Sequence, residues 1–197
     1  MRTRTHPVRA LLAGTFFSFA FLSFAYGQAA VRPGDIKLNG IKQQLKRAPN
    51  YSSSGGELGA EVAAANKPWL SIEVDFGTDI EWADDVQIKY FVLMGEGREA
   101  KMFVGEASHI NVAKGAHHYS AMFMHPSAIQ RYGRGKVEAV AVQLYYQGRL
   151  MDQESEPKSR ARWWEQFSPT TGYLLKPNDT PWALKAFDRF EAYKSTP

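Results

Sequence analysis

The stretch Trp69 to Phe76, WLSIEVDF, decides the fold class of this chain. Every second residue is apolar, namely Leu70, Ile72, Val74 and Phe76, and the residues between them are Ser71, Glu73 and Asp75. This alternation is typical of a β-strand with one face in a core and the other face toward solvent. The stretch therefore predicts a half-buried strand.

Further strand-like segments surround this stretch at short, regular intervals. Residues 35–48 predict a strand with a bend near Gly40, and the Ser-, Gly- and Ala-rich residues 49–67 predict a long mobile loop. After a predicted turn at 77–85, the predicted strands are 86–94, 100–104, 109–112, 117–125, 136–146 and 150–154. The second of these follows a tight turn at 95–97, Lys114-Gly115 is a further predicted turn, and residues 126–132 suggest a single helical turn. Seven to eight short strands with turn signals between them predict a mainly β, antiparallel β-sandwich.

The C-terminal part, residues 155–197, differs in composition and predicts a wrap around the sandwich. Three of the five tryptophans lie after position 160. Residues 182–193 (WALKAFDRFEAY) suit a short amphipathic helix, and an irregular covering of one sheet is the alternative. We expect an irregular or short-helical aromatic segment here.

The N-terminus has the pattern of a secretory signal peptide. Arg2, Arg4 and Arg9 precede an uncharged apolar run from Ala10 to Ala25, and small residues follow. We therefore expect a signal peptide at 1–27, one domain at 28–197, and an exported product in the periplasm or at the cell surface. The chain has no cysteine, so no disulfide and no lipid anchor on cysteine are expected. We expect no stable membrane anchor once the signal is cleaved.

The charge of the chain gives no reason to expect a nucleic-acid partner. The 24 basic and 20 acidic residues give +4, and removing residues 1–27 removes three arginines and no acid, which leaves 21 against 20. The excess positive charge thus lies mainly in the predicted signal, whereas binding to nucleic acid requires a strong basic patch.

Two groups of side chains raise the question of a metal. His109, His117, His118 and His125 lie within 17 residues, but the neighbours His117 and His118 point to opposite faces of a strand, so at most one of them joins any cluster. A second group, the acids of residues 75–85, lacks the EF-hand spacing and suits solvated turns. We expect no metal and no other cofactor.

The aromatic residues of the C-terminal part are the candidate contact residues. Large aromatic side chains are enriched at binding hot spots and also supply much of the burial in any core. These residues are Trp163, Trp164, Tyr173 and Trp182. Three roles are open for their rings: contact with a protein partner, a platform on which sugars stack, or packing on the outside of the sandwich core.

No catalytic motif is recognisable in the sequence. There is no Gly-x-Ser-x-Gly elbow, no His-Glu-x-x-His pair, no phosphate-binding loop and no cysteine nucleophile. We therefore expect a protein that is not an enzyme.

The order of segments resembles a family of small exported pilus-like proteins encoded in verrucomicrobial type IV pilus clusters, of the Akkermansia kind. The segments that carry the likeness are the signal peptide, the strand at Asp35–Leu38, KPWLSIEVDF, VQIKYFVLM, VEAVAVQLYYQGRLMDQES and the closing RWWEQF with GYLLKPNDTPWALKAFDRFEAY. The resemblance implies an immunoglobulin-like β-sandwich and a structural or assembly role in a pilus-like envelope system.

The N-terminus indicates an accessory protein of such a system, not its filament subunit. A pilin leader ends in Gly and precedes a long apolar helix with an acid at its fifth position, whereas the fifth residue after Gly14 is Phe19. Our leading hypothesis is a non-enzymatic, exported structural or accessory protein that contacts other pilus or envelope proteins. The alternative is a carbohydrate-binding β-sandwich module, which requires exposed coplanar rings.

Overall fold

The alternating stretch at Trp69 forms part of a long strand in the first of two sheets. The computed structural model describes residues 31–49, 67–184 and 189–194. The strands are β1 (Ile36–Lys46), β2 (Trp69–Ala83), β3 (Val86–Met94), β4 (Lys101–His109), β5 (Val112–Met124), β6 (Ala139–Tyr146), β7 (Arg149–Glu156), β8 (Pro169–Thr170) and β9 (Leu174–Leu175). The α-helix of the described ranges, α1 (Pro126–Gly133), links β5 to β6, and short 3-10 turns lie at Gly97–Glu99, Trp163–Glu165 and Pro177–Asp179.

The described strands form a four-stranded and a five-stranded sheet. The first has the order β1-β2-β5-β9 and the second the order β7-β6-β3-β4-β8. All neighbours are antiparallel except β4 and β8, which pair in parallel. If the seven long strands are named A, B, C, C′, E, F and G, the sheets read ABE and GFCC′, an immunoglobulin-like arrangement. The predicted mainly β sandwich fold is thus confirmed.

The core lies between the inner faces of the two sheets. The alternating residues Leu70, Ile72, Val74 and Phe76 point into it, and the last three are 0% exposed. From the second sheet they meet Ile88, Tyr90, Val92, Val140, Val142 and Leu144. Because each large apolar side chain stabilises the fold by about 1.5–3 kcal/mol when fully buried, this layer supplies the main stabilisation of a chain without disulfides.

Two predicted turns are in fact inside strands. The turn expected at 77–85 occurs only at its end, where Asp85 has a φ of 65°, because two register shifts let β2 continue along β5 to Ala83. The turn expected at Lys114-Gly115 lies within β5, which pairs there with β2. Likewise 100–104 and the first residue of 109–112 belong to one strand, β4, and the chain turns at Asn111, whose φ is 57°. Local polarity suggested turns that long-range pairing overrides.

Gly77 permits β2 to continue past the predicted turn. A Cβ at this position would lie 2.8 Å from the carbonyl oxygen of Ala116, which is backbone and cannot move away cheaply. We therefore expect Gly77→Ala to lower the free energy of unfolding by about 1–3 kcal/mol. Gly40, where an added Cβ would have nothing within 4 Å, is the matched control, and Gly40→Ala should change stability by no more than about 0.5 kcal/mol. Urea unfolding of both variants tests the difference, and equal effects would contradict it.

The helix after β5 is longer than the predicted single turn. Pro126 occupies its first turn, the side chain of His125 accepts a hydrogen bond from the Ser127 N–H, and Arg134 ends the helix in the left-handed conformation with a φ of 49°.

In the described part of the chain, no helix is long and apolar enough to cross a membrane. The predicted signal peptide at 1–27 and most of the predicted loop at 49–67 lie outside the described residues.

Candidate protein-binding surface

The four candidate aromatic residues do not form one surface. Trp163 and Trp164 pack on the outer face of the five-stranded sheet, against Phe91. Tyr173 packs against the main core, where its hydroxyl bonds to that of Tyr132 at 3.0 Å. Trp182 belongs to a third cluster, on the outer face of the four-stranded sheet. The C-terminal segment is irregular, as expected, and it crosses the outer faces of both sheets.

The exposure and orientation of these rings differ from those of a sugar platform. Trp164 is 6% and Trp182 is 8% exposed, and Trp163 is half-buried. The planes of Trp163 and Trp164 meet at 83°, edge to face. A flat platform for stacking sugars needs exposed coplanar rings, which these residues do not provide. Their part in a partner contact remains a prediction, whereas packing on the sheets is what the structure gives them.

Trp182 holds the C-terminal segment to the four-stranded sheet. Its ring stacks on Phe123 at 4.7 Å between centroids, and Trp69 meets it edge-on at 5.7 Å. The ammonium group of Lys46 lies 5.3 Å from the same ring, and burial lowers the pKa of this lysine. The cluster therefore joins β1, β2 and β5 to residues that follow all the long strands.

Residues 189–194, called here the closing segment, cover the side of the sandwich where β4 and β5 lie. The Ile110 N–H donates to the carbonyl of Ala192, the Lys194 N–H to that of Ser108, and the Glu191 N–H to that of Tyr119. The segment thus bonds to β5 and to the end of β4. The guanidinium of Arg189 adds two bonds to the Glu73 carboxylate, at 2.6 and 3.1 Å.

A buried chain of polar groups anchors the closing segment to the core. The Tyr90 hydroxyl donates to Ser120 Oγ at 2.7 Å, and Ser120 Oγ lies 2.8 Å from His109 Nε2. On the other side of the ring, Nδ1 lies 3.2 Å from the Glu191 carbonyl oxygen. These bonds are all satisfied if Nε2 accepts from Ser120 and Nδ1–H donates to Glu191, which assigns a neutral ring. Burial lowers the pKa of His109 to about 4, consistent with that form.

The remaining histidines have separate structural roles. His118 Nδ1 lies 2.7 Å from the Glu191 carboxylate, and His117 Nδ1 lies 3.0 Å from that of Asp75. The four histidines are not gathered at one point. Among residues 31–49, 67–184 and 189–194, no group of three or more histidine and acidic side chains is placed to hold a metal ion.

The edge strands opposite the closing segment are the candidate binding surface. In the described ranges β1 pairs only with β2, and β7 pairs only with β6. The Leu38 N–H donates to Asp152 Oδ2 at 2.9 Å, so the two strands lie side by side in opposite sheets. An edge strand has unpaired backbone donors and acceptors, which another strand recognises by hydrogen bonding.

Reasoning from the sequence predicted a C-terminal wrap at 155–197, but it identified neither the contacts of the closing segment nor the strands that lie at the edges. The signal for the edges is present in the amino-acid sequence, because residues 36–47 (IKLNGIKQQLKR) contain four cations and no acid, whereas MDQESE at 151–156 contains three acids. The closing segment had no such signal, since its partners lie some 80 residues away, as His109 and Glu191 do.

Comparisons with known proteins give the relationship of the chain. No curated protein matches its sequence at a significant level. A crystal structure of a protein from Akkermansia muciniphila is similar in fold, with a TM-score of 0.70 and 20% sequence identity, over 82% of this chain and 94% of that one. A family model matches residues 27–196, which is most of the chain. The protein therefore belongs to that family, an Akkermansia-type family.

Proposed function

We propose that this protein is a non-enzymatic, exported accessory protein that acts by protein–protein contact in an envelope or type IV pilus-like assembly. The observation that carries the proposal is that one side of the sandwich is covered by the C-terminal segment and the opposite side is not. The C-terminal segment covers β4 and β5, whereas β1, with 11 residues, and β7, with eight, each keep one side without a strand partner in the described part of the chain. Such edges bind other chains by strand addition.

Family membership and exposure at β1 agree with this proposal. The assembly role is what the resemblance of the sequence to a pilus-like family implies, and the match of a family model to residues 27–196 agrees with that resemblance at the level of the family. Leu45 on β1 is 46% exposed, which leaves an apolar side chain at the free edge. An interface that combines backbone pairing with a few apolar contacts fits an accessory protein that joins an assembly.

Capture from envelope extracts tests the proposal. The tagged protein is produced in its own cells, cross-linked to its neighbours in the envelope and purified by the tag. Pilus or secretion components should be recovered with it. Leu45→Lys should reduce that recovery severalfold, because it places a charge at the edge where the partner packs. Trp82→Lys is the matched control, since Trp82 is 63% exposed but lies on β2 beyond Thr78, where the pairing with β1 ends.

Two results would contradict the proposal. Recovery of no pilus or secretion component would remove the assembly role. Equal recovery with the Leu45 and Trp82 variants would show that the contact does not use the β1 edge.

A further inference from the structure

We propose that a second copy of this chain binds the free edges, with β1 of one copy against β7 of the other in a two-fold dimer. This inference rests on the proposed function, which assigns protein contact to these edges, and it names the partner. The observations that support it are the opposite charges of the two edges, the lack of internal neutralisation, and the position of both edges on one side of the sandwich.

The two free edges carry opposite charges. We call the exposed side chains of Lys37, Lys42 and the following Arg47 the basic edge; Lys46, the fourth cation of this stretch, lies over the Trp182 ring instead. The carboxylates of β7, which we call the acidic edge, belong to Asp152, Glu154 and Glu156. β1 contains no acid, and the one cation within β7 is Arg149 at its start, which bonds to the carbonyl of Val31. The two edges are therefore electrostatically complementary.

Few of these charges are neutralised within the molecule. In the described ranges, no ion pair involves Lys37, Lys42 or Arg47. On the acidic edge, Glu154 meets Lys158 at 3.7 Å, where the lysine side chain is 84% exposed, and this surface pair contributes little. The Asp152 carboxylate accepts hydrogen bonds from the Leu38 and Gln153 N–H groups, but it has no cation beside it in the described ranges. The basic edge is thus not neutralised within the molecule, and the acidic edge is neutralised only in part.

Charge selects one of the ways in which two copies can meet. Pairing β1 with β1 places cations opposite cations, and pairing β7 with β7 places carboxylates opposite carboxylates, and both arrangements are repulsive. Pairing β1 with β7 places opposite charges together. The same residues that prevent like edges from pairing therefore favour the unlike pairing.

The position of the edges allows both contacts to form at once. The bond from Leu38 to Asp152 places β1 and β7 side by side, in different sheets. A two-fold axis along the strand direction then brings β1 of each copy to β7 of the other. The four strands of one sheet continue into the five strands of the other sheet of the partner, which gives two nine-stranded sheets. A closed dimer of this kind leaves neither free edge unpaired.

A different role for the same charges is to keep the edges apart from all strands. Lysines on an edge strand and carboxylates on its neighbour commonly prevent edge-to-edge association. In that case the purified protein is a monomer at every salt concentration. The oligomeric state therefore decides between the two roles.

Sedimentation of the purified protein tests the dimer. We expect a dimer at low salt that dissociates in about 1 M salt, where the Debye length is about 3 Å. Reversing the basic edge (Lys37→Glu with Lys42→Glu and Arg47→Glu) or the acidic edge (Glu154→Lys with Glu156→Lys) should raise the dimer Kd roughly tenfold or more, because like charges then face each other. Arg98→Glu with Lys101→Glu and Lys136→Glu makes the same charge change as the first variant, on exposed residues at the turn before β4, on β4 and before β6, and should leave the dimer intact.

A mixture of the two edge variants gives the sharpest result. One variant has two acidic edges and the other has two basic edges, so each is expected to be a monomer alone, and an equimolar mixture should form a heterodimer. A monomeric wild-type protein, or a mixture that stays monomeric, would overturn the inference. If the wild-type protein is a monomer but still captures pilus or secretion components, the inference fails and the proposed function stands; a dimer that captures none gives the reverse.

Discussion

Replacing Trp182 with alanine should lower the free energy of unfolding by about 3–5 kcal/mol, the cost of removing a large buried aromatic side chain. The ring is 8% exposed and packs between Phe123 and Trp69, so its removal leaves a hole that the sheet cannot fill. Because this ring holds the C-terminal segment to the four-stranded sheet, the loss should also expose that segment to proteases. Urea unfolding and limited proteolysis measure the two effects.

The matched control for this variant is Trp82→Ala. Trp82 is 63% exposed near the end of β2, so its removal should change stability by no more than about 0.5 kcal/mol. If both tryptophan variants lose the same stability, the packing role assigned to Trp182 is wrong.

Acid should destabilise the protein through His109. The pKa of this histidine is about 4 in the folded protein and 6.5 when exposed, so the unfolded chain binds its proton first as the pH falls. The stability that depends on neutral His109 is therefore complete above pH 6.5 and is lost progressively down to pH 4. Between pH 7 and pH 4.5 this loss is about 2 kcal/mol. Protonation also removes the acceptor at Nε2 that Ser120 uses.

Groups around the ring influence this result without reversing it. Burial is the main cause of the lowered pKa of His109, and Lys176 lowers it further, whereas the backbone carbonyls of Glu191 and Ala192 raise it. The tyrosines in contact, Tyr90 and Tyr193, are neutral at these pH values, since burial raises the pKa of Tyr193 to about 12 and that of Tyr90 well above 10. The contact between His118 and the Glu191 carboxylate is common to the wild type and any His109 variant.

His109→Gln isolates the contribution of this one group. The variant is expected to be less stable at pH 7, because it disturbs a buried hydrogen-bonded chain, but its stability should fall about 2 kcal/mol less than that of the wild type between pH 7 and pH 4.5. Urea unfolding at both pH values gives the four free energies needed. An equal fall in both proteins would show that other groups cause the acid sensitivity.

The strands that carry the core could be predicted because their signal is local. The alternation at Trp69–Phe76 and the apolar run Val86–Met94 each indicate a strand from a few adjacent residues, and the structure has a strand at both. The extension of β2 beyond Gly77 could not be predicted in this way, because it depends on pairing with β5 about 40 residues later.

The contacts that anchor the closing segment also could not be predicted from patterns among adjacent residues. His109 is 0% exposed, yet the sequence indicated only that it begins a short strand at 109–112 and belongs to a group of histidines. Its burial depends on Tyr90, Ser120 and Glu191, which come from three distant parts of the chain. The charge contrast between β1 and β7 was visible, but it had no meaning until the topology showed which strands are at the edges.

The place of the closing segment in chain order has a consequence for how the fold is completed. This segment follows every strand of both sheets, yet it covers β4 and β5 and supplies the last partner of His109. When the chain emerges from its N-terminal end, β4 and β5 therefore stay uncovered until the closing segment arrives. Until then His109 Nδ1 also lacks its bond to the Glu191 carbonyl oxygen. During that interval foreign strands and chaperones have access to the side of β4 and β5 as well as to β1 and β7, and docking of the closing segment covers the former side and leaves the β1 and β7 side open.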